Sequence, residues 1–157
     1  MIDDFDAILD QRARELAVAS DTAPPPPPVL VCTGRDGRWA LPLAAVSRVE
    51  ELPDWTPVPG WPPPILGLAL VARRRVLLAD LDGLAAGKAP RDAGRPGHAV
   101  LLRAVPAAVA VDRAEAVIGL GFPAALGDGM GVAAAADGTV LLDPDRLLEA
   151  MARRGAP

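Results

Sequence analysis

The stretch TPVPGWPPPILGLALVARRRVLLADL, Thr56 to Leu81, decides the fold class. It sets a proline-rich elbow before the apolar run Ile65 to Ala72, interrupts that run with Arg73, Arg74 and Arg75, and then turns apolar again from Val76 to Leu81. Eight apolar residues are far too few to span a bilayer, which takes roughly 20. Two short apolar runs flanking a charged break read instead as buried strands joined by a hairpin, with the arginines at its exposed tip. In the elbow, prolines at 57, 59, 62, 63 and 64 form a rigid segment that needs no amide pairing.

Strand periodicity extends in both directions. VLVCTGRDGRWALPLAAVSRVEEL, from Val29, holds two apolar runs around Gly34 to Gly37 and predicts a hairpin; Pro42 in the second run predicts an edge strand or a bulge, because proline cannot donate to a ladder. After Leu81 the sequence gives a short helical turn and a loop, then HAVLLRAV and AAVAVDRAEAVIGL as two strands around Pro106. A glycine-rich loop from Gly119 to Gly131, a strand from Thr139 to Leu142 and a closing helix at about 145–154 follow, with Asp143 as N-cap and Pro144 in the first turn. Many short strands with one terminal helix indicate barrels or a sandwich.

Ahead of the strands lies a different kind of sequence. Residues 1–22 carry an amphipathic helix, with Ile2, Phe5, Ile8, Leu9 and Leu16 on its apolar stripe and Asp3, Asp4 and Asp6 in its first turn. Residues 23–28 are a linker in which Pro24 to Pro28 adopt an extended polyproline conformation of about 15 Å. Such a spacer leaves two readings open: the helix packs back on residues 29–157, or it is held away to dock on a partner.

Composition excludes several function classes. The net charge of -4 argues against nucleic acid, whose binding rests on clustered Lys and Arg. With 3% aromatic residues and no Tyr, stacking platforms are poorly supplied. Cys32 is the single cysteine, so no intramolecular disulfide forms, and no cysteine–histidine cluster offers a metal site. The charged N-terminus does not resemble a signal peptide, and no apolar run suits membrane insertion, so a cytoplasmic location is expected.

Chemistry is equally poorly provided for. His98 is the only histidine, beside an apolar strand, and no Ser or Cys has a triad context. GDGMGV, Gly127 to Val132, lacks the Lys-Ser/Thr of a phosphate loop. The carboxylate pairs Asp80/Asp82 and Asp143/Asp145 stand where strands give way to helices, which suits capping. No catalytic residue, cofactor or metal is expected, and a binding module is the default.

The order of these segments carries a resemblance. The hairpin, TPVP at Thr56–Pro59, ILGL at Ile65–Leu68, the strand ending Asp80-Leu81, AVAVDRAEAV at Ala108–Val117 and VLLDPDRLL at Val140–Leu148 resemble the CheW family of chemotaxis coupling proteins over Val29 to Met151. The resemblance implies a mostly β fold of two intertwined five-stranded Src-homology-3-like barrels with short helices. It also implies a non-catalytic adaptor that joins the regulatory domain of the histidine kinase CheA to the cytoplasmic tips of chemoreceptors, at membrane-associated polar arrays.

By the same resemblance, Val46 and Val49 match apolar positions of the strand lining the receptor groove, and Val100 and Val117 fall near its other wall. Gly67 matches the glycine of the family's [IV]xG[LV]xNLRG segment, where close backbone approach is expected, and Asp80 and Asp112 match structural aspartates. The Asn, Leu, Arg and Gly positions of that segment are here Leu70, Val71, Ala72 and Arg73, and Arg48, within VSRV, stands where the family has Glu, so both an acidic and a basic position have changed. Arg73, Arg74 and Arg75 either return positive charge one residue along or only solubilise the tip. Because Arg73 replaces a turn glycine, a turn wider than two residues is expected. A second function remains open, in which the N-terminal helix and altered groove recruit a non-receptor partner such as a polar positioning protein.

Overall fold

The computed structural model describes residues 7–12, 14, 24–35, 37–86, 96–127 and 129–155. Among the described residues twelve strands run in chain order as β1 Val29–Thr33, β2 Arg38–Pro42, β3 Val46–Glu51, β4 Trp55–Thr56, β5 Ile65–Val71 and β6 Arg74–Asp80, then β7 His98–Leu102, β8 Ala107–Val111, β9 Arg113–Val117, β10 Ala124–Ala125, β11 Gly131–Ala134 and β12 Val140–Leu142. They form two six-stranded sheets, ordered β10-β11-β12-β2-β1-β9 and β3-β7-β8-β6-β5-β4. The first sheet takes both ends of the strand series, and the second is the continuous segment between them. That interleaving is the intertwined, mostly β architecture expected; each sheet counts six strands because the two-residue β4 and β10 join it.

Burial explains why so many strands read as unbroken apolar runs. In β1, Leu30 and Cys32 enter the central core while Val29 and Val31 enter a smaller cluster with Ala40. In β8, Val109 and Val111 face the central core, and Ala108 and Ala110 face a third cluster with Val71, Val76 and Leu78. Successive side chains point to opposite faces, so a strand covered on both sides must be apolar throughout. The central core joins the sheets to the helix Leu81–Ala86 and to the C-terminal helix Pro144–Gly155 through Leu81, Leu84, Leu147 and Met151.

Local chemistry sets the helix starts. Asp143 Oδ1 accepts from the Asp145 N–H at 2.9 Å, with Pro144 opening the C-terminal helix, and Asp80 accepts from the Gly83 N–H at 3.1 Å. Asp82, in the first turn of the helix Leu81–Ala86, reaches residues far away in the chain. Its carboxylate, 2% exposed, accepts from the Arg35 N–H at 2.7 Å and from Trp39 Nε1 at 2.9 Å. It thereby fastens the helix after β6 to the β1–β2 hairpin of the other sheet.

Three further expectations are corrected. Pro42 marks neither an edge nor a bulge: β2 lies between β1 and β12, pairing in parallel with β12 only at Trp39 and Ala40, and Pro42 ends the strand. AAVAVDRAEAVIGL is two strands, β8 and β9, which part at Asp112 and enter different sheets. The turn between β5 and β6 is not wide. Val71 pairs with Arg74, leaving the two residues Ala72 and Arg73, both with positive φ at 48° and 65°. That is the signature of a type I′ turn, one residue earlier than the Arg73-Arg74 tip.

Candidate functional site

A groove of about 430 Å³ opens where three segments of the second sheet meet: the start of β3, the β5–β6 turn and the β7–β8 loop. β3 is an edge strand with a register shift between Val46 and Arg48, so one extra residue is inserted opposite Leu102 and Leu101. A bulge of this kind re-aims side chains. Here it leaves Ser47, Arg48 and Val49 all exposed, in place of strict alternation.

The β5–β6 turn supplies the second wall, with Ala72 and Arg74 above Val71 and Val76. Arg103, Val105 and Pro106 supply the third. Arg103 locks that loop to β3: its N–H donates to Ala45 O at 2.9 Å and its Nη2 to Val46 O at 3.0 Å. Pro106, which cannot donate, leaves its carbonyl to accept from the Leu77 N–H at 3.0 Å.

Three guanidinium groups, Arg48, Arg74 and Arg103, therefore line one groove with an aliphatic floor, and among the described residues no carboxylate lines it. Arg48 also pairs with Glu50 two residues along β3, and the arginine side chain remains about half exposed at 52%. Such a surface suits carboxylates presented beside apolar side chains, since charge-assisted hydrogen bonds to arginine are the stronger kind. It holds no nucleophile and base in contact.

Of the residues singled out from the sequence, the groove gathers Arg48, Ala72 and Arg74. Arg73 is at the turn and exposed, outside the lining. Val49 is 37% exposed beside the groove on β3, opposite Val100. Val46 and Val100, at 6% and 0% exposure, lie in the central core, so they support the β3–β7 pair from beneath and present no contact surface. Val117 ends β9 on the other sheet, paired with Val29 and packed on the small core. Gly67, at φ 150°, faces its own chain: a Cβ there would lie 2.1 Å from Thr56 O. That close approach builds the β4–β5 pair.

The N-terminal candidates divide. Residues 7–12 and 14 are helical, with Ile8 and Leu9 exposed at 53% and 51%; Ile2, Phe5 and Leu16 lie outside the described residues. Arg103, Val105 and Pro106 were not anticipated as site residues. Their signal was available in the proline that separates two apolar runs with an arginine three residues before it.

His98 and Cys32 lie away from the groove. His98 opens β7 and its Nδ1 donates to Asp112 O at 3.0 Å, while the Asp112 N–H donates to Thr33 O at 3.0 Å. Cys32 is fully buried, and burial pushes its thiol up to about 12, far from reactivity. Among the described residues no group of His, Cys, Asp or Glu is placed to hold a metal, and no helix is long and apolar enough to cross a membrane.

Comparison with known proteins adds a family and a fold. The family model described as "CheW-like domain" matches residues 28–151. Among solved structures, the scaffolding protein TtCheW from Thermoanaerobacter tengcongensis superposes with a TM-score of 0.62 at 16% identity, over 75% of this chain and 89% of that one. Comparison with curated proteins yields no match.

Proposed function

The chain belongs to the CheW-like domain family, and from that premise we propose that it is a non-catalytic chemotaxis adaptor. In this reading residues 29–157 couple the cytoplasmic tips of chemoreceptors to the regulatory domain of the histidine kinase CheA. The protein then works in the cytoplasm at membrane-associated arrays, and needs no cofactor. The observation that carries the reading is the convergence of Arg48 and Ala72 on one groove. Of the departures from the family pattern, these are the two that exchange a charged residue of the family, Glu and Arg, for another kind, and both line the same groove, so in this reading they change the charge of one surface together.

Charge complementarity selects partners and sets on-rate. A groove carrying Arg48, Arg74 and Arg103 selects a receptor tip richer in carboxylates than one matched to Glu and Arg at these positions. Replacing Arg48→Glu with Ala72→Arg restores the family's pattern, and should tighten binding of an ordinary receptor tip by about 1 to 2 kcal/mol, roughly 5- to 30-fold. Titration calorimetry against a receptor-tip peptide checks this, and unchanged affinity would put the receptor site elsewhere. Micromolar binding of the full chain to the kinase regulatory domain tests the other half.

One observation favours a second reading. Ile8 and Leu9 stand exposed on a helix at the end of a proline linker, which suits recruitment of a non-receptor partner such as a polar positioning protein. Removal of residues 1–23 separates the two, because array localisation survives it only if the β domain suffices.

A further inference from the structure

We infer that the basic groove is also the docking site of the chain's own N-terminal segment, which occupies it when no partner does. The occupancy stands on the features below; only its consequence, competition with a partner, rests on the adaptor reading.

Charge is the first feature. Residues 1–10, MIDDFDAILD, carry four aspartates and no Lys or Arg, and the groove carries Arg48, Arg74 and Arg103 with no lining carboxylate among the described residues. Pattern is the second. In the sequence Asp3, Asp6 and Asp10 recur at spacings of three and four beside the apolar series Ile2, Phe5 and Leu9, so an acidic stripe borders an apolar one on a helix. The groove has the matching layout: an aliphatic floor of Val71, Val76 and Leu101 beneath guanidinium groups on its rim.

The tether supplies the third feature. Pro28 O accepts from the Leu43 N–H at 3.0 Å, pinning the end of the linker to the turn Leu43–Ala45. Ala45 O in turn accepts from Arg103, a groove residue, at 2.9 Å. The linker thus leaves the domain at the turn that holds Arg103, and the six residues 23–28 reach roughly 19 Å when extended. A tether of this length holds the segment at an effective concentration on the order of millimolar, so even a millimolar contact is about half formed. Ile8, Leu9 and Val105 all stand exposed, an apolar helix face and an apolar rim that cover one another on docking.

Cross-linking in the full chain tests this without any partner. Leu9→Cys with Val105→Cys is oxidised at low protein concentration, beside a control pairing Leu9→Cys with Arg113→Cys on the other sheet. Native Cys32, buried with its thiol pushed up to about 12, does not compete. The expected result is an intramolecular disulfide that forms at least about tenfold faster for the groove pair than for the control. Arg48→Glu with Arg74→Glu should slow it several-fold, and adding Asp6→Arg and Asp10→Arg should restore it. Equal rates at the two positions, or indifference to charge reversal, would overturn the inference. Dimeric cross-links would overturn it too, by assigning the groove to a second copy's segment. Since no kinase or receptor is present, these outcomes leave the adaptor reading to calorimetry.

Discussion

The turn at the groove's edge offers a sharp stability test. Ala72 and Arg73 occupy positive φ, at 48° and 65°, between the paired residues Val71 and Arg74. A side chain in this region costs roughly 1 to 2 kcal/mol, because its Cβ crowds the following carbonyl. Asn tolerates the conformation and Gly adopts it freely, so Ala72→Asn with Arg73→Gly relieves about 2 to 3 kcal/mol in the folded state. The glycine returns roughly 0.5 to 1 kcal/mol to the unfolded chain as added freedom. The net gain is about 1 to 2 kcal/mol. For a protein of this size each kcal/mol moves the melting temperature by about 2 to 4 °C, giving a rise of about 2 to 8 °C. Thermal melts followed by circular dichroism measure it, with urea titration expected to shift its midpoint at unchanged slope. A melting temperature that stays the same or falls would refute the claim that the turn is strained.

Gly67→Ala tests the opposite sign, since its Cβ would strike Thr56 O and Pro57 Cα at 2.1 and 2.9 Å; overpacking together with strained φ should cost about 2 to 5 kcal/mol in urea unfolding. Asp82→Ala leaves the Arg35 N–H and Trp39 Nε1 without this acceptor and should cost about 2 to 5 kcal/mol. Adding Trp39→Phe should recover part of that loss, and strictly additive effects would deny the coupling. Asp137 accepts from the Thr139 N–H at 2.9 Å and pairs with Arg38 at 3.0 Å, which together hold its carboxyl below the ordinary 3.8. Its contribution is present above that value and is lost as pH falls through the lower folded one. Asp137→Asn should therefore unfold more easily than the natural chain near neutral pH, and the gap in urea midpoint should narrow as pH falls below 3.8.

What could be read from the sequence was what local chemistry decides. The Asp143-Pro144 cap, the hairpin around Gly34 and Gly37 and the buried β5 and β6 runs all depend on neighbours within a few residues. The Ala72-Arg73 turn was not legible, because its strain is outweighed by the ladder from Ile65 to Ala79 on either side, and a propensity rule sees only the two residues. Pro42 misled for a related reason: the rule forbids proline where an amide must donate, and whether a strand has already ended is a tertiary fact. Asp82 looks like a cap in sequence, yet its partners lie 43 and 47 residues upstream. At the candidate groove, the resemblance points to Arg48 and Ala72, whereas it does not single out Arg103, because a loop position gains meaning only from what folds against it.

In the proposed reading, the groove's place on an edge strand governs how a partner binds. Among the described residues β3 has β7 on one side and no strand on the other, and an open edge invites pairing with a foreign strand. Its sequence works against that. The bulge at Val46–Arg48 breaks the flat register, and Arg48, Glu50 and Glu51 charge the strand along its length. A partner thus gains little from extending the ladder and must be recognised by side chains, through the guanidinium groups and the aliphatic floor. Recognition through exposed charge is screened with a Debye length of about 8 Å at physiological ionic strength, whereas backbone ladders and apolar contacts are far less sensitive. In the proposed adaptor reading, binding of a carboxylate-rich receptor tip should therefore weaken steeply between low and high salt, and Arg48→Ala with Arg74→Ala should flatten that dependence. Salt-insensitive binding would mean that β3 is used as a strand after all, with the bulge flattened in the complex.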